Sequence, residues 1–181
     1  MTKPSLKSVS ALSLDWATDV TPRIRQSEFP AGVLEHMDAR IIQALSHLRT
    51  VVGKPLYPSP VFGAHIRHSI SNSRHSTRNG NRLADATDFF VAWEDAWAYL
   101  EAAEAHPDIN GIGIYTDMLF GPGAEGTWAM IHIDCRPADS KLDWVGWRED
   151  RFHKLKYVYK QNSVAEYNRI LNTRGKLSVQ V

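Results

Sequence analysis

The chain has 181 residues, of which 43% are hydrophobic and 23% charged, so it can build one ordinary globular core. A formal net charge of +1 and a single cysteine, Cys135, exclude a strong field over the whole molecule and an internal disulfide framework. The sequence contains no apolar run of signal-peptide or membrane-span length. We therefore expect cytoplasmic synthesis without a signal peptide, no nucleic-acid partner and no stable membrane insertion.

Charge is distributed unevenly along the chain. Residues 141–181 contain nine Lys and Arg against four Asp and Glu. We predict an N-terminal extension over residues 1–30, a domain over residues 31–150, and a basic helical tail over residues 151–181 that packs on or next to the domain. The tail could contact an anionic polymer, although a solvated helix face is the simpler interpretation.

The first predicted element is a helix over residues 33–52. Apolar residues recur there at steps of three and four, which is the period of one buried helix face; they are Leu34, Met37, Ile41, Leu45, Leu48 and Val52. Gly53 then provides a C-terminal cap, and Pro55 prevents the helix from continuing.

The later elements alternate irregularly between strands and helices. In chain order we predict a strand at 61–66, a polar loop at 69–82, a strand at 83–91, a helix from 93 to about 106, a strand at 111–115, a turn at 121–123, a strand at 127–134 and a helix at about 163–171. This pattern indicates an α+β fold, with a small antiparallel sheet flanked by helices.

Histidine placement is the informative feature for chemistry. Four of the eight histidines, namely His65, His68, His75 and His132, fall on strand ends or in the polar loop, where sites are usually assembled. Each of them, taken singly, also has a structural interpretation as a hydrogen-bonded side chain. Two histidines and one carboxylate are a donor set that leaves a catalytic zinc one open position for water.

The candidate carboxylate is Asp88, which lies in an apolar strand where an unpaired charge would be costly. Asp85 is a rival ligand, and the two side chains would point to opposite faces of a strand. On the later strand, His132 and Asp134 share one face, so both can belong to the same site.

The order of these segments resembles the family of zinc D-Ala-D-Ala carboxypeptidases and phage L-alanyl-D-glutamate endopeptidases. The family's motifs correspond to short segments spread over about residues 28–147: Leu48-Arg49, Gly53-Lys-Pro55, His65-Ile-Arg67, Ser73-Arg-His75, Ala86-Thr-Asp88-Phe89, Gly111-Ile-Gly113-Ile-Tyr115 and His132-Ile-Asp134. The resemblance is specific in its order, and each motif is short.

The resemblance implies a D-Ala-D-Ala peptidase-like fold with Zn²⁺ held at the sheet by His75, Asp88 and His132. Zinc would activate water and polarise the scissile carbonyl, while Arg67 would stabilise the oxyanion. The implied substrate is a peptide of bacterial peptidoglycan, in a stem or a cross-link. The implied enzyme is of phage type, acting on the wall after release or from the virion.

Two departures from the family pattern leave alternatives open. The interval from His75 to Asp88 is longer than usual, through residues 77–81, which keeps Asp85 in consideration. Many members also carry an acidic residue or histidine two or three positions before the last ligand, where this chain has Met130 and Ala129. The general base must then come from elsewhere, with Asp134 ahead of Asp117 and Glu125 on geometry. The alternative function is a non-catalytic phage or wall-binding protein that keeps the fold.

Overall fold

Six strands form one sheet in the computed structural model, which describes residues 24–116, 128–147 and 154–177. The strands are β1 (Tyr57–Pro58), β2 (Ala86–Ala92), β3 (Gly111–Tyr115), β4 (Trp128–Asp134), β5 (Leu142–Trp147) and β6 (Lys156–Tyr159). Their order across the sheet is β1-β2-β4-β3-β5-β6. Neighbouring strands run antiparallel, except β3 and β5, which run parallel. The predicted α+β class is confirmed, but the sheet is mixed and not antiparallel throughout.

Three α-helices accompany the sheet among the described residues: α1 (Ala39–Val52), α2 (Ala96–Ala105) and α3 (Val164–Leu177). The predicted end of α1 is confirmed, since Gly53 adopts the left-handed conformation there. The predicted start at residue 33 is too early. Asp38 is extended and its N–H donates to the carbonyl of Ala84, so the helix begins after it, with the Asp38 carboxylate capping the N–H of Arg40.

The two faces of the sheet have different chemistry. On β4, Ala129, Ile131 and Ile133 are fully buried in the hydrophobic core, which also contains apolar residues of α1 and α2. Because successive side chains of a strand alternate, His132 and Asp134 lie on the opposite face. Burial of the apolar residues therefore determines which face of β4 carries the polar groups.

The predicted strand at 61–66 is wrong. The chain forms a 3₁₀ turn at Phe62–Ala64, and the N–H groups of Ala64 and His65 donate to carbonyls within the same segment. The His65 ring is fully buried and contacts the Thr87 hydroxyl and the Ser59 carbonyl, which ties this segment to β2 without strand pairing. The predicted loop at 69–82 does lack helices and strands.

The C-terminal part of the described chain belongs to the same sheet and core. Strands β5 and β6, which we had not predicted, pair with each other, and α3 contributes Tyr167, Ile170 and Leu171 to the hydrophobic core. Phe29, near the other end, is buried in this core as well. The predicted turn at 121–123 lies outside the described residues. None of the helices that the structure describes combines the length and apolarity needed to cross a bilayer.

Candidate metal centre

Three buried side chains meet on the polar face of the sheet. His132 Nδ1 lies 2.8 Å from Asp88 Oδ1 and 3.1 Å from His75 Nε2. His75 Nε2 lies 3.6 Å from the same Asp88 oxygen. One ligand atom of each residue is within 4.8 Å of the others, and this is the arrangement of a group that could hold a metal ion. It is the set proposed from the sequence.

Sheet register brings two of the three residues together. Asp88 on β2 is the direct partner of His132 on β4, so their side chains emerge side by side on one face. The third residue, His75, comes from the polar loop. Its carbonyl accepts a hydrogen bond of 2.7 Å from the N–H of Arg67, and the Arg82 guanidinium donates to the carbonyls of Ser73 and Ser76 on either side of it. The loop is thus tied down around His75.

The interval between His75 and Asp88 contains a tight turn. Arg78, Asn79 and Gly80 all have positive φ values, which produces a tight reversal of the chain. Arg82 N–H then donates to the carbonyl of Thr77, which closes the turn. Arg78, Asn79 and Gly80 are exposed, whereas His75 and Asp88 are buried.

The pKa values of the two histidines are shifted in opposite directions. Burial lowers the pKa of His75 to about 4, against the opposing effect of Asp88, so this imidazole is neutral at pH 7. Burial also disfavours the charged form of His132, but hydrogen bonds to Asp134 and Asp88 outweigh it and raise the pKa to about 9. At pH 7, His132 is therefore an imidazolium between two carboxylates.

Asp134 lies behind His132, on the side away from the candidate metal position. Its Oδ2 is 3.2 Å from His132 Nε2, while its Oδ1 accepts a hydrogen bond of 2.7 Å from Arg136 Nε. Asp134 is fully buried, and despite that burial its contacts with Arg136 and His132 hold the pKa of its carboxyl well below the usual range. These contacts are typical of a carboxylate that orients a metal-binding histidine.

Asp85 is engaged in a separate ion pair. Its Oδ2 accepts a hydrogen bond from the Arg74 guanidinium, and the residue lies just before β2. Neither histidine of the cluster contacts it. Of the two aspartates considered from the sequence, only Asp88 contacts both His75 and His132.

The other residues proposed from the sequence lie outside the group of His75, Asp88 and His132 or outside the described residues. Arg67 is exposed, and its Nε donates to the Gly63 carbonyl. Its backbone N–H donates to the His75 carbonyl, and its charge adds a smaller effect to burial, the main cause that lowers the pKa of His75. His68 contacts the Thr77 hydroxyl and lies outside the cluster. The alternative bases Asp117 and Glu125 lie outside the described residues.

Sequence reasoning missed Trp144 on β5. Its indole centroid lies 4.9 Å from the centroid of the His132 ring, at an interplanar angle of 50°. Gly113 makes this possible, because a Cβ at that position would overlap the indole. Gly111 is similar, since a Cβ there would overlap the Asp134 carboxylate. The Gly-x-Gly spacing thus clears space for two side chains around His132, and that spacing was the available sequence signal.

We predict that Gly113→Ala destabilises the fold by about 1–3 kcal/mol, the usual cost of overpacking. The added methyl must displace Trp144, which is 7% exposed and has little room to move. Chemical denaturation measures this change. Gly63→Ala is the control, because the nearest atom to its Cβ would be Arg67 Nε at 4.0 Å. Equal stabilities of the two variants would contradict the prediction.

Metal binding is predicted to release about one proton at pH 7. The cation would replace the proton on His132 Nδ1, and the pKa of about 9 means that this proton is present in the free protein. Between about pH 4, where His75 becomes neutral, and about pH 9, metal affinity should rise about tenfold per pH unit. Calorimetry in buffers of different ionisation enthalpy counts the proton. Binding without proton release would show that His132 is neutral in the free protein.

Comparison with known proteins adds no family assignment. No protein-family model, curated protein or solved structure matches this chain.

Proposed function

We propose that this protein hydrolyses peptide bonds of bacterial peptidoglycan with a zinc ion bound by His75, Asp88 and His132. The observation that carries the proposal is the buried group of two imidazoles and one carboxylate. That donor set, with three protein ligands, is typical of catalytic zinc.

The spacing of the donor atoms supports a tetrahedral metal. Zinc bonds of about 2.0–2.1 Å at tetrahedral angles separate neighbouring ligand atoms by roughly 3.3 Å. The three separations here are 2.8, 3.1 and 3.6 Å, so one ion could reach all three atoms with small side-chain adjustments. When bound, zinc would lower the pKa of a coordinated water and polarise the scissile carbonyl.

The residues around the cluster have complementary tasks in this proposal. Neutral His75 offers Nε2 as a ligand without having to lose a proton. Asp134 accepts a hydrogen bond from His132 Nε2 and so leaves Nδ1 for the metal. Arg67 supplies a positive charge beside the site, where it would stabilise the developing oxyanion. The general base stays a prediction, with Asp117 and Glu125 as candidates beside Asp134.

The substrate class is supported by the order of the short motifs, which resembles that of peptidases acting on D-configured residues. The proposed substrate is a stem peptide or cross-link of peptidoglycan, and the proposed setting is a phage-type lysis or virion-associated enzyme. Zinc-loaded protein should release new amino groups from purified peptidoglycan, whereas protein treated with a chelator should not. Release that survives chelation would contradict a metal-dependent reaction.

A second candidate is a metal-containing binding protein without catalysis. It is favoured by one observation: among the described residues, the two carboxylates that contact His132 are both engaged, Asp88 in the cluster and Asp134 with Arg136. Under this alternative the protein would bind one zinc and sediment with insoluble peptidoglycan, yet release no amino groups from it. The same digestion experiment therefore separates the two functions.

A further inference from the structure

His132 is contacted on three sides by other side chains. Asp88 and His75 face its Nδ1, Asp134 faces its Nε2, and Trp144 covers the ring. Only the contacts at Nδ1 belong to the candidate metal group. Asp134 already has a role in the proposed function, whereas Trp144 and the partner of Asp134, Arg136, have none so far.

Sheet register explains why Trp144 reaches this position. Gly113 lies between the two residues as the antiparallel partner of His132 and the parallel partner of Trp144. Without a side chain on the middle strand, the indole extends across β3 to the imidazole. Trp144 is buried, so this packing excludes water from the ring face of His132.

Arg136 links the two outer contacts of His132. Its Nε donates to Asp134 Oδ1 at 2.7 Å, and its Nη2 donates to Asp134 Oδ2. The guanidinium carbon also lies 5.8 Å from the centroid of the Trp144 ring, within the range of a cation–π contact. The bidentate pair fixes the carboxylate plane that His132 Nε2 faces.

We propose that Arg136 and Trp144 are positioning residues that hold His132 with Nδ1 directed at the metal. Arg136 acts through Asp134, and Trp144 acts through contact with the imidazole ring. The inference rests on the proposed metal site. Under this inference, the Gly113–Trp144 contact and the Asp134–Arg136 pair orient His132 in addition to stabilising the fold.

Loss of either contact should weaken metal binding. Removing a partner behind a ligating histidine typically costs 10–100-fold in metal affinity, because the imidazole is no longer held in one orientation and tautomer. We expect Arg136→Gln to raise the zinc dissociation constant at least tenfold and Trp144→Phe by a smaller factor. Arg136→Lys should recover part of the loss, since it keeps the charge but not the bidentate geometry.

The chain provides a matched control for each variant. Arg40 makes the same bidentate contact with Asp38, at the same two-residue spacing, without a histidine behind the carboxylate. Trp147 lies on the same strand as Trp144 but packs against the hydrophobic core. Arg40→Gln and Trp147→Phe should therefore leave the zinc dissociation constant unchanged.

Zinc affinity is measured by competition with a chelator, and ¹⁵N NMR of the zinc-loaded protein reports the His132 ring. The wild-type ring should show a metal-bound Nδ1 and a slowly exchanging Nε2 proton, whereas Arg136→Gln should speed exchange of that proton. Unchanged affinity and exchange in Arg136→Gln and Trp144→Phe would overturn the inference. So would equal losses in the matched controls. If the wild-type protein binds no zinc at all, the proposed function fails instead.

Discussion

Replacing His75 by alanine is expected to abolish the proposed stoichiometric zinc binding and, with it, the proposed hydrolysis of peptidoglycan. The variant would keep only Asp88 and His132 as donors, and two ligands do not define a tetrahedral site. The loss in affinity should exceed the 10–100-fold typical of residues behind the ligands. Metal analysis after dialysis against a weak chelator measures the stoichiometry. Full retention of zinc in His75→Ala would contradict the assigned centre.

The two neighbouring aspartates allow a matched comparison for the same prediction. Asp88→Asn should lose zinc as His75→Ala does, because the carboxylate that contacts both histidines is removed. Asp85→Asn should keep zinc, since Asp85 pairs with Arg74 outside the cluster. A reversal of these two results would make Asp85 the ligand.

Asp134→Asn is expected to lower the free energy of unfolding by about 3 kcal/mol, the lower end of the range for breaking a buried ion pair. The lower end applies because Arg136 keeps some access to water, with 14% of its side chain exposed. The same variant should weaken zinc binding 10–100-fold, since His132 Nε2 loses its anionic partner. Denaturant unfolding and chelator competition measure the two effects.

This variant also separates two roles of Asp134. A general base would be needed in the zinc-saturated protein, so its loss would reduce turnover even at high zinc. An orienting carboxylate would be needed mainly to bind zinc, so excess zinc should restore much of the turnover. We expect the second result, because both oxygens of Asp134 are engaged by Arg136 and His132. The comparison variant Asp38→Asn should lose the ion pair with Arg40 but keep zinc affinity, and its helix cap should persist because asparagine caps a helix as well as aspartate does.

Strong local signals made parts of the fold predictable. The period of three and four along α1 and the glycine that ends it are properties of neighbouring residues, and the structure has the helix there. The start of α1 was missed because a long-range hydrogen bond between Asp38 and Ala84 extends the chain before it. The strand predicted at 61–66 failed for a similar reason, since the contacts of His65 with Thr87 and Ser59 override a short apolar run.

The residues of the candidate site could be proposed from the sequence, but the contacts among them could not. Alternation along β4 allowed His132 and Asp134 to be assigned to one face, and burial of Ile131 and Ile133 in the core agrees with that assignment. Alternation could not show that Nδ1 of His132 faces Asp88 while Nε2 faces Asp134. The Gly-x-Gly spacing indicated open space above β3, but it could not show that Trp144 fills this space, because that contact joins different strands. The contact of Arg136 with Asp134 is local, but its relevance depends on His132 lying at the same carboxylate.

By itself, the sequence determined which residue types were candidates for metal donors, because histidine and aspartate chemistry is a property of the residues. It also determined the polar face of β4, because the alternating apolar residues of that strand must be buried. Only the tertiary structure decided that Asp88 and not Asp85 contacts both histidines, and that Asp134 lies behind His132. The parallel pairing of β3 and β5 brings Trp144 over Gly113 onto His132. Strand order and register are set by packing over the whole chain, and no local pattern contains them.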